Sequence, residues 1–304
     1  MEKMKALFAR APEGIQFNMG IVCPEDVETL KAALVAAEQK VITPVFIGRP
    51  DKINEMAKKL GEDISAYQCV AVNSEEEAAT KAVEMAKEGL LNALMKGNLH
   101  TETFMAKIVS REGGLRTDRR MTHGMLVDVP SYHKLLICSD VAFNIKPSLK
   151  EKKDIVQNAI NFAITLGIKL PKVALLSSVD VPSEKVSSSL DCAELGKMAS
   201  RGEIQGGILA GPLQFDAAIS TEAAAAKKLS SSVAGDPDVL IFPDLDSGNI
   251  AVKVFEHCAN ATCYGVALGA KVPVIVVSRA STAESRVGSC VLAKFIAHYE
   301  QNRR

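Results

Sequence analysis

The chain has 304 residues, of which 47% are hydrophobic, and its 36 Lys and Arg are balanced by 36 Asp and Glu. An apolar share of that size supports a sizeable core and excludes intrinsic disorder. A net charge of zero lacks the basic excess of a nucleic-acid-binding surface, so no nucleic-acid partner is expected. Phosphate-bearing small ligands stay open, because a few placed arginines bind them without any net basic charge.

The length allows one large domain or two ordinary ones. Met1 to Ala11 carries basic residues but no apolar stretch of signal-peptide length. No apolar run approaches the ~20 residues of a membrane span, so no membrane partner is expected. The seven cysteines are scattered, odd in number and form no CxxC pair. They read as small buried apolar residues in a reduced, cytoplasmic setting rather than as a disulfide framework.

In chain order, Gly20–Cys23 predicts a strand, and Pro24-Glu25-Asp26 opens a helix to about Lys40, its early acids suited to a helix N-terminus. Val41–Ile47 is the next strand, broken by Gly48-Arg49-Pro50, and Gln68–Val72 the third. Ser74 and Glu77 have the spacing of a capping box that starts a helix. Leu91–Met95 is a fourth strand ending in Lys96-Gly97-Asn98, with a helix over Thr101–Arg111. Leu135–Phe143 reads as a strand and Leu149–Leu166 as an amphipathic helix. Lys172–Leu176, Ile208–Ala210, Val239–Phe242 and Val272–Val277 read as strands. Between and after them, Ser183–Ala199, Phe215–Lys228, Ser247–Cys263 and Thr282–His298 read as helices. Strands alternating with helices predict an α/β fold with mostly parallel sheets built from right-handed β-α-β units. Proline in Asn144-Ile145-Lys146-Pro147, between a strand and a long helix, marks a domain boundary there.

Ligands of open parallel sheets sit beyond the carboxyl ends of strands. Four such ends are polar: Lys96-Gly97-Asn98, Gly206-Gly207, Pro243–Asn249 and Ser278-Arg279. Arg279 offers a planar donor fork for phosphate, and Ser278 a hydroxyl for a developing oxyanion; the structural alternative is a surface salt bridge beside a capping serine. In Pro243-Asp244-Leu245-Asp246-Ser247-Gly248-Asn249, Asp246 or Ser247 is placed to cap a helix whose N-terminus suits an anion, and Gly248 admits close backbone approach. Asp244 and Asp246 alone are too few for a metal site, and no metal is expected. Gly206–Asp216 is glycine-rich but is neither GxGxxG nor a P-loop, which argues against a dinucleotide or triphosphate site. Asp216 is left as a helix cap or a ligand contact. Arg111, Arg116, Arg119 and Arg120 form a basic cluster, read either as a solvated surface or as a phosphate clamp. The five histidines are not paired at ligand spacing, and His100, next to a strand end, carries more weight than the others.

Four segments together resemble the phosphate acetyl/butyryltransferase family: Lys96-Gly97-Asn98-Leu99-His100-Thr101, Gly211–Ala218, Val233–Leu245 followed by Gly248-Asn249, and the strand ending Ser278-Arg279. They occur in the family's order and spacing. Lys96–Thr101 and Ser278–Arg286 resemble the butyryltransferase branch. The resemblance implies two α/β domains of the isocitrate/isopropylmalate-dehydrogenase-like type with the active site in a cleft between them. With the last strand and helix returning to the first domain, residues 1–145 plus 271–304 form domain I and residues 146–270 domain II. It implies acyl-CoA and inorganic phosphate as substrates (acyl-CoA + phosphate ⇌ acyl phosphate + CoA), no permanently bound cofactor, and a homo-oligomer, a dimer or larger. Butyryl-CoA is the expected acyl donor, with acetyl-CoA the alternative.

By similarity, Arg279 binds the phosphoryl group and Ser278 stabilises the transition state while the CoA thiolate attacks the acyl phosphate directly. Lys96, Asn98, Arg116, Arg119, Asp244, Gly248, Asn249 and Arg286 are the expected substrate-binding residues. Acetyltransferases of the family carry an aspartate at the position of Ser285; the neighbouring acid, Glu284, is turned by about 100° on a helix and is the expected substitute base, with another group or the leaving phosphate as the alternatives. A covalent acyl-cysteine route is the rival mechanism. A metal-dependent dehydrogenase on the same fold, and a non-catalytic sensor of acyl phosphate or CoA, are the competing functions, the sensor favoured by the missing aspartate.

Overall fold

The computed structural model describes residues 2–111, 113–277 and 281–303. Its elements run α1 (Glu2–Phe8), β1 (Asn18–Val22), α2 (Val27–Glu38), β2 (Thr43–Gly48), α3 (Pro50–Leu60), β3 (Gln68–Ala71), α4 (Glu75–Lys87), β4 (Ala93–Lys96) and α5 (Thr101–Ile108). Then come β5 (Thr122–Asp128), β6 (Leu136–Ser139), α6 (Leu149–Thr165), β7 (Lys172–Leu176), α7 (Ser187–Ser200), β8 (Ile208–Leu213), α8 (Phe215–Ile219) and α9 (Thr221–Ala226). The chain closes with β9 (Val239–Ile241), α10 (Leu245–Cys258), β10 (Thr262–Leu268), β11 (Val274–Ile275) and α11 (Ala283–Arg303).

Two compact units divide the chain, one of Met1–Leu7 with Arg120–Cys263 and one of Phe8–Arg119 with Tyr264–Arg304. The expected break at 145/146 therefore moves to 119/120, and the later one from 270/271 to 263/264. The physical reason is strand pairing: β5 pairs antiparallel with β6, Met125 opposite Cys138 and Val127 opposite Leu136, so residues 120–145 are committed to the same sheet region as β9 and β7. The proline of the 144–147 segment lies in the connection between β6 and α6 inside a unit; it does not separate two.

In the Phe8–Arg119 unit the strand order is β3-β2-β1-β4-β11-β10. All pairs are parallel except β10 with β11. Met19, Ile21, Phe46, Ile53, Met95, Ile275 and Cys290 lie in its core, all fully buried. The chain steps from β1 outward to β2 and β3, then returns to place β4 on the other side of β1. The carboxyl ends of β1 and β4 thus flank a topological switch point, the place where an open sheet leaves a crevice. In the Arg120–Cys263 unit the order is β5-β6-β9-β7-β8, parallel except β5 with β6. Its core includes Val127, Cys138, Ala174, Leu176 and Leu240.

Several elements differ from the sequence expectation. Helix α3 starts at Pro50, where a break is expected, because proline without its N–H fits the first helical turn. Strands β5 and β10 and the short α1 have no counterpart in the sequence pattern. That pattern runs a helix on to Cys263, whereas α10 ends at Cys258, before Asn260 at a φ of 51°, and β10 begins at Thr262. The capping box at Ser74 is incomplete: the serine accepts from Glu77 N, but the Glu77 carboxylate accepts from Asn73 N. Ser148 and Glu151 make the full reciprocal pair at the start of α6. Among the described residues no helix is long and apolar enough to cross a membrane.

Candidate active site

The switch point of the Phe8–Arg119 unit is laced together by backbone. Beyond β1, Cys23 adopts a φ of 53°, which turns its carbonyl toward the end of β4. The Gly97 N–H donates to the Val22 carbonyl at 2.8 Å and the Asn98 N–H to the Cys23 carbonyl at 2.7 Å. Gly97 has no alternative here: a Cβ would stand 2.3 Å from the Cys23 oxygen and 2.7 Å from the Val22 oxygen. Lys96, the last residue of β4, is only 4% exposed and its Nζ donates to the Gly97 carbonyl at 3.2 Å.

Charged groups surround this junction. The buried Glu25 carboxylate accepts from the Arg49 backbone N–H at 3.1 Å and from its Nε at 3.0 Å, and also ion-pairs with its terminal nitrogen. The hydrogen bond to Glu25 raises the Arg49 pKa further. This fork–fork pair staples the end of β2 to the loop after β1. Glu75, at the start of α4, accepts from both the backbone N–H and Nδ1 of His100 at 2.9 Å, and its carboxyl is held below the usual range chiefly by the backbone bond. Burial pushes the Cys23 thiol up to about 12, with Glu25 and Glu75 adding to the rise, so it stays protonated and is a poor nucleophile.

The other unit has its own polar strand ends. Asp244, following β9, caps α10: its Oδ1 accepts from Ser247 N at 2.9 Å and from Ser247 Oγ at 2.7 Å. Burial works against ionisation, but these bonds hold its carboxyl below the usual range. Asp140, following β6, accepts from the N–H groups of Ala142 and Phe143.

A family model described as phosphate acetyl/butaryl transferase matches residues 71–294, which include the end of β4 in one unit and the ends of β6 and β9 in the other. The chain belongs to this family, and it is an enzyme of that type. It is 46% identical over 294 residues to a phosphate acetyltransferase of Rickettsia felis, covering 96% of this chain and 84% of that relative. It is 36% identical over 280 residues to a phosphate butyryltransferase of Clostridium acetobutylicum, covering 92% and 93%. Among solved structures, a branched-chain phosphotransacylase from Enterococcus faecalis V583 superposes with a TM-score of 0.82 at 28% identity, covering 93% of this chain and 99% of that one. A phosphotransacetylase from Streptococcus pyogenes shares the fold with a TM-score of 0.85 at 22% identity. A 4-hydroxythreonine-4-phosphate dehydrogenase from Salmonella typhimurium shares it more distantly, with a TM-score of 0.58. The dehydrogenase-like α/β fold expected from the sequence is thus the fold of this family member.

Of the expected site residues, Ser278 and Arg279 lie outside the described residues. Lys96 and Asn98 do meet at the switch point. Glu284 is exposed in the first turn of α11. Arg286, expected to reach substrate as a second positive charge, is 4% exposed, with the carboxylates of Asp26 and Glu28 favouring its charged form. Arg116 is exposed and pairs by backbone with Ala270; Arg119 is half-buried, and its N–H donates to Thr117 Oγ1. Arg120 leaves the expected basic cluster for the other unit, where it ion-pairs with Glu151 at 3.1 Å.

Asp244, Gly248 and Asn249, expected to bind substrate, make contacts within their own unit. Asp244, and not Asp246 or Ser247, is the helix cap. Gly248 admits close approach of the protein's own Asp140 carbonyl, which would stand 2.6 Å from a Cβ. Asn249 Nδ2 donates to the Val141 carbonyl at 3.1 Å, so Gly248 and Asn249 fit α10 against the segment that follows β6. Asp216 accepts from Ala217 N and Lys227 Nζ and caps no helix in the usual sense, the N-cap of α8 being Gln214.

The residues that sequence reading missed are Cys23, Glu25, Arg49 and Glu75. The signal was present: Cys23-Pro24-Glu25 and Gly48-Arg49 directly follow apolar strands, and the carboxyl-end rule applied to every strand would have marked them.

Proposed function

We propose that the enzyme moves a short acyl group between coenzyme A and inorganic phosphate, acyl-CoA + phosphate ⇌ acyl phosphate + CoA. The observation that carries this reading is that one family match, residues 71–294, contains all four resembling segments, from Lys96–Thr101 to Ser278-Arg279. In the direction of thioester formation, the CoA thiol loses its proton and its sulfur attacks the acyl carbon. The C–O bond to phosphate then breaks, and phosphate leaves with the electron pair. Arg279 grips the phosphoryl group, Ser278 donates to the tetrahedral oxyanion, and Lys96 and Asn98 contact substrate at the switch point. Arg116 and Arg119 supply further positive charge for phosphate groups. Glu284, exposed on the first turn of α11, takes the thiol proton in place of the aspartate that Ser285 replaces.

The acyl group is where the sequence expectation shifts. The phosphate acetyltransferases of Rickettsia felis and Rhizobium meliloti are 46% and 41% identical to this chain, against 36% and 34% for two clostridial phosphate butyryltransferases. That order favours acetyl over the butyryl group read from the local segments. One methylene in an apolar pocket is worth only about 1–3 kcal/mol, so activity across several chain lengths accompanies either preference. Assembly as a homo-oligomer is carried over from the resemblance; sedimentation of the intact chain tests it.

The direct experiment is release of free thiol from acetyl-, propionyl-, butyryl- and hexanoyl-CoA with and without phosphate. Phosphate-dependent release establishes the reaction, and its peak sets the chain length. Binding of CoA with no phosphate-dependent thiol from any of the four supports instead the sensor reading, for which Ser285 is the specific observation.

A further inference from the structure

The N-terminal turn of α11 is held in an unusual way. Its first residue, Ala283, has one of the backbone N–H groups that a helix cannot satisfy internally. That N–H donates to Glu28 Oε2 at 3.0 Å, a carboxylate 255 residues away in the first turn of α2. Thr282 provides the local cap, its Oγ1 accepting from Ser285 N and its carbonyl from Arg286 N.

Arg286 sits in this same turn, 4% exposed. A guanidinium here carries two costs, removal from water and a place at the positive end of the helix dipole. Burial pulls its pKa down, and the carboxylates of Asp26 and Glu28 work in the opposite direction. Asp26 is itself tied down, accepting from Thr29 N at 2.8 Å and Thr29 Oγ1 at 2.6 Å. A methionine or leucine would fill the site without either cost. An apolar contact, however, tolerates sliding and rotation, whereas a buried charge attracted by the carboxylates of Asp26 and Glu28, and a hydrogen bond from Ala283 to Glu28, define where the helix starts. Local rules broken together at one place mark function more often than chance.

We infer that Glu28 and Arg286 are positioning residues that set the start of α11 and through it the placement of Glu284 in its first turn. This rests on the proposed acyl transfer, in which Glu284 takes the thiol proton. Neither Glu28 nor Arg286 touches substrate in this assignment; each acts through the backbone it holds. A displacement of about 1 Å in such a segment lowers turnover by up to about a hundredfold without removing any reacting group.

The test is steady-state kinetics on the full chain for Glu28→Ala, Glu28→Gln and Arg286→Met, with thermal unfolding of each. Glu28→Ala should lower kcat by about tenfold or more while KM for acyl-CoA and phosphate moves by less than about threefold. Glu28→Gln, which keeps an oxygen acceptor for the Ala283 N–H, should recover most of kcat. Arg286→Met should lower kcat with little loss of melting temperature, since removing the charge also removes its burial cost. The inference is overturned if Glu28→Ala turns over within about twofold of the parent, or if Glu28→Gln is no better than Glu28→Ala. A parent chain with no phosphate-dependent thiol release overturns the proposed function together with this inference; a turning-over parent with unaffected variants overturns this inference alone.

Discussion

Replacing Gly97 with alanine tests whether the switch point is held as the backbone geometry requires. The new Cβ would lie 2.3 Å from the Cys23 oxygen, 2.7 Å from the Val22 oxygen and 2.8 Å from the Cys23 carbonyl carbon. All three are backbone atoms, so no side chain can swing aside. Relief demands that the ends of β1 and β4 part, which breaks the bonds from Gly97 N to Val22 and from Asn98 N to Cys23. Two backbone hydrogen bonds at about 1 kcal/mol each, plus about 1–3 kcal/mol for overpacking, give a loss of about 3–5 kcal/mol. In a unit of about 150 residues this is a fall of roughly 6–20 °C in melting temperature. Thermal and urea unfolding by circular dichroism measure it, with Gly196→Ala as the control. Gly196 lies inside α7, and a Cβ there would meet nothing within 4 Å, so alanine should raise stability by about 0.5–1 kcal/mol. A Gly97→Ala protein that unfolds within about 1 kcal/mol of the parent would refute the close-approach reasoning.

Further outcomes follow from the same structure. Asp244→Ala removes the cap of α10 and should cost about 1 kcal/mol by urea unfolding; an unchanged midpoint would show that the Ser247 bonds carry no weight. Asp236 is partly buried, which opposes ionisation, but bonds from Lys172, Lys134 and His133 lower its pKa strongly. Its folded pKa lies below the unfolded value near ~3.9, so its contribution is complete above about pH 5 and is lost as pH falls through the folded pKa. The stability gap between the parent and Asp236→Asn should therefore shrink from pH 5 toward pH 2, and a gap constant over that range would refute the assignment. Cys69 and Cys258 are exposed and the other five cysteines buried, so a disulfide reagent should titrate two thiols in the native protein and seven after unfolding. Cys23→Ala should keep phosphate-dependent turnover, because burial holds that thiol protonated; loss of turnover in a folded Cys23→Ala protein would revive an acyl-cysteine route.

Much of this enzyme was written locally. The alternation of Ile21-Val22, Phe46-Ile47 and Leu94-Met95 with periodic helical stretches determined a parallel α/β fold, because buried strands need continuous apolar residues and crossovers need helices. The family-bearing segments after β4, β8 and β9 were legible for the same reason: strand ends expose the polar residues that chemistry needs. The unit boundary was not legible, since it depends on the antiparallel pairing of Thr122–Asp128 with Leu136–Ser139, and pairing partners leave no mark in either strand's own composition. Nor were the partners of Glu25, Glu28 and Arg286. Asp244 caps α10 and Arg286 is buried, and neither role was visible in the sequence. A charged residue reads the same in sequence whether it meets substrate, solvent or an opposite charge brought from 255 residues away. Only the tertiary structure decides among these, because the cost of burying a charge is set by the groups the fold places around it.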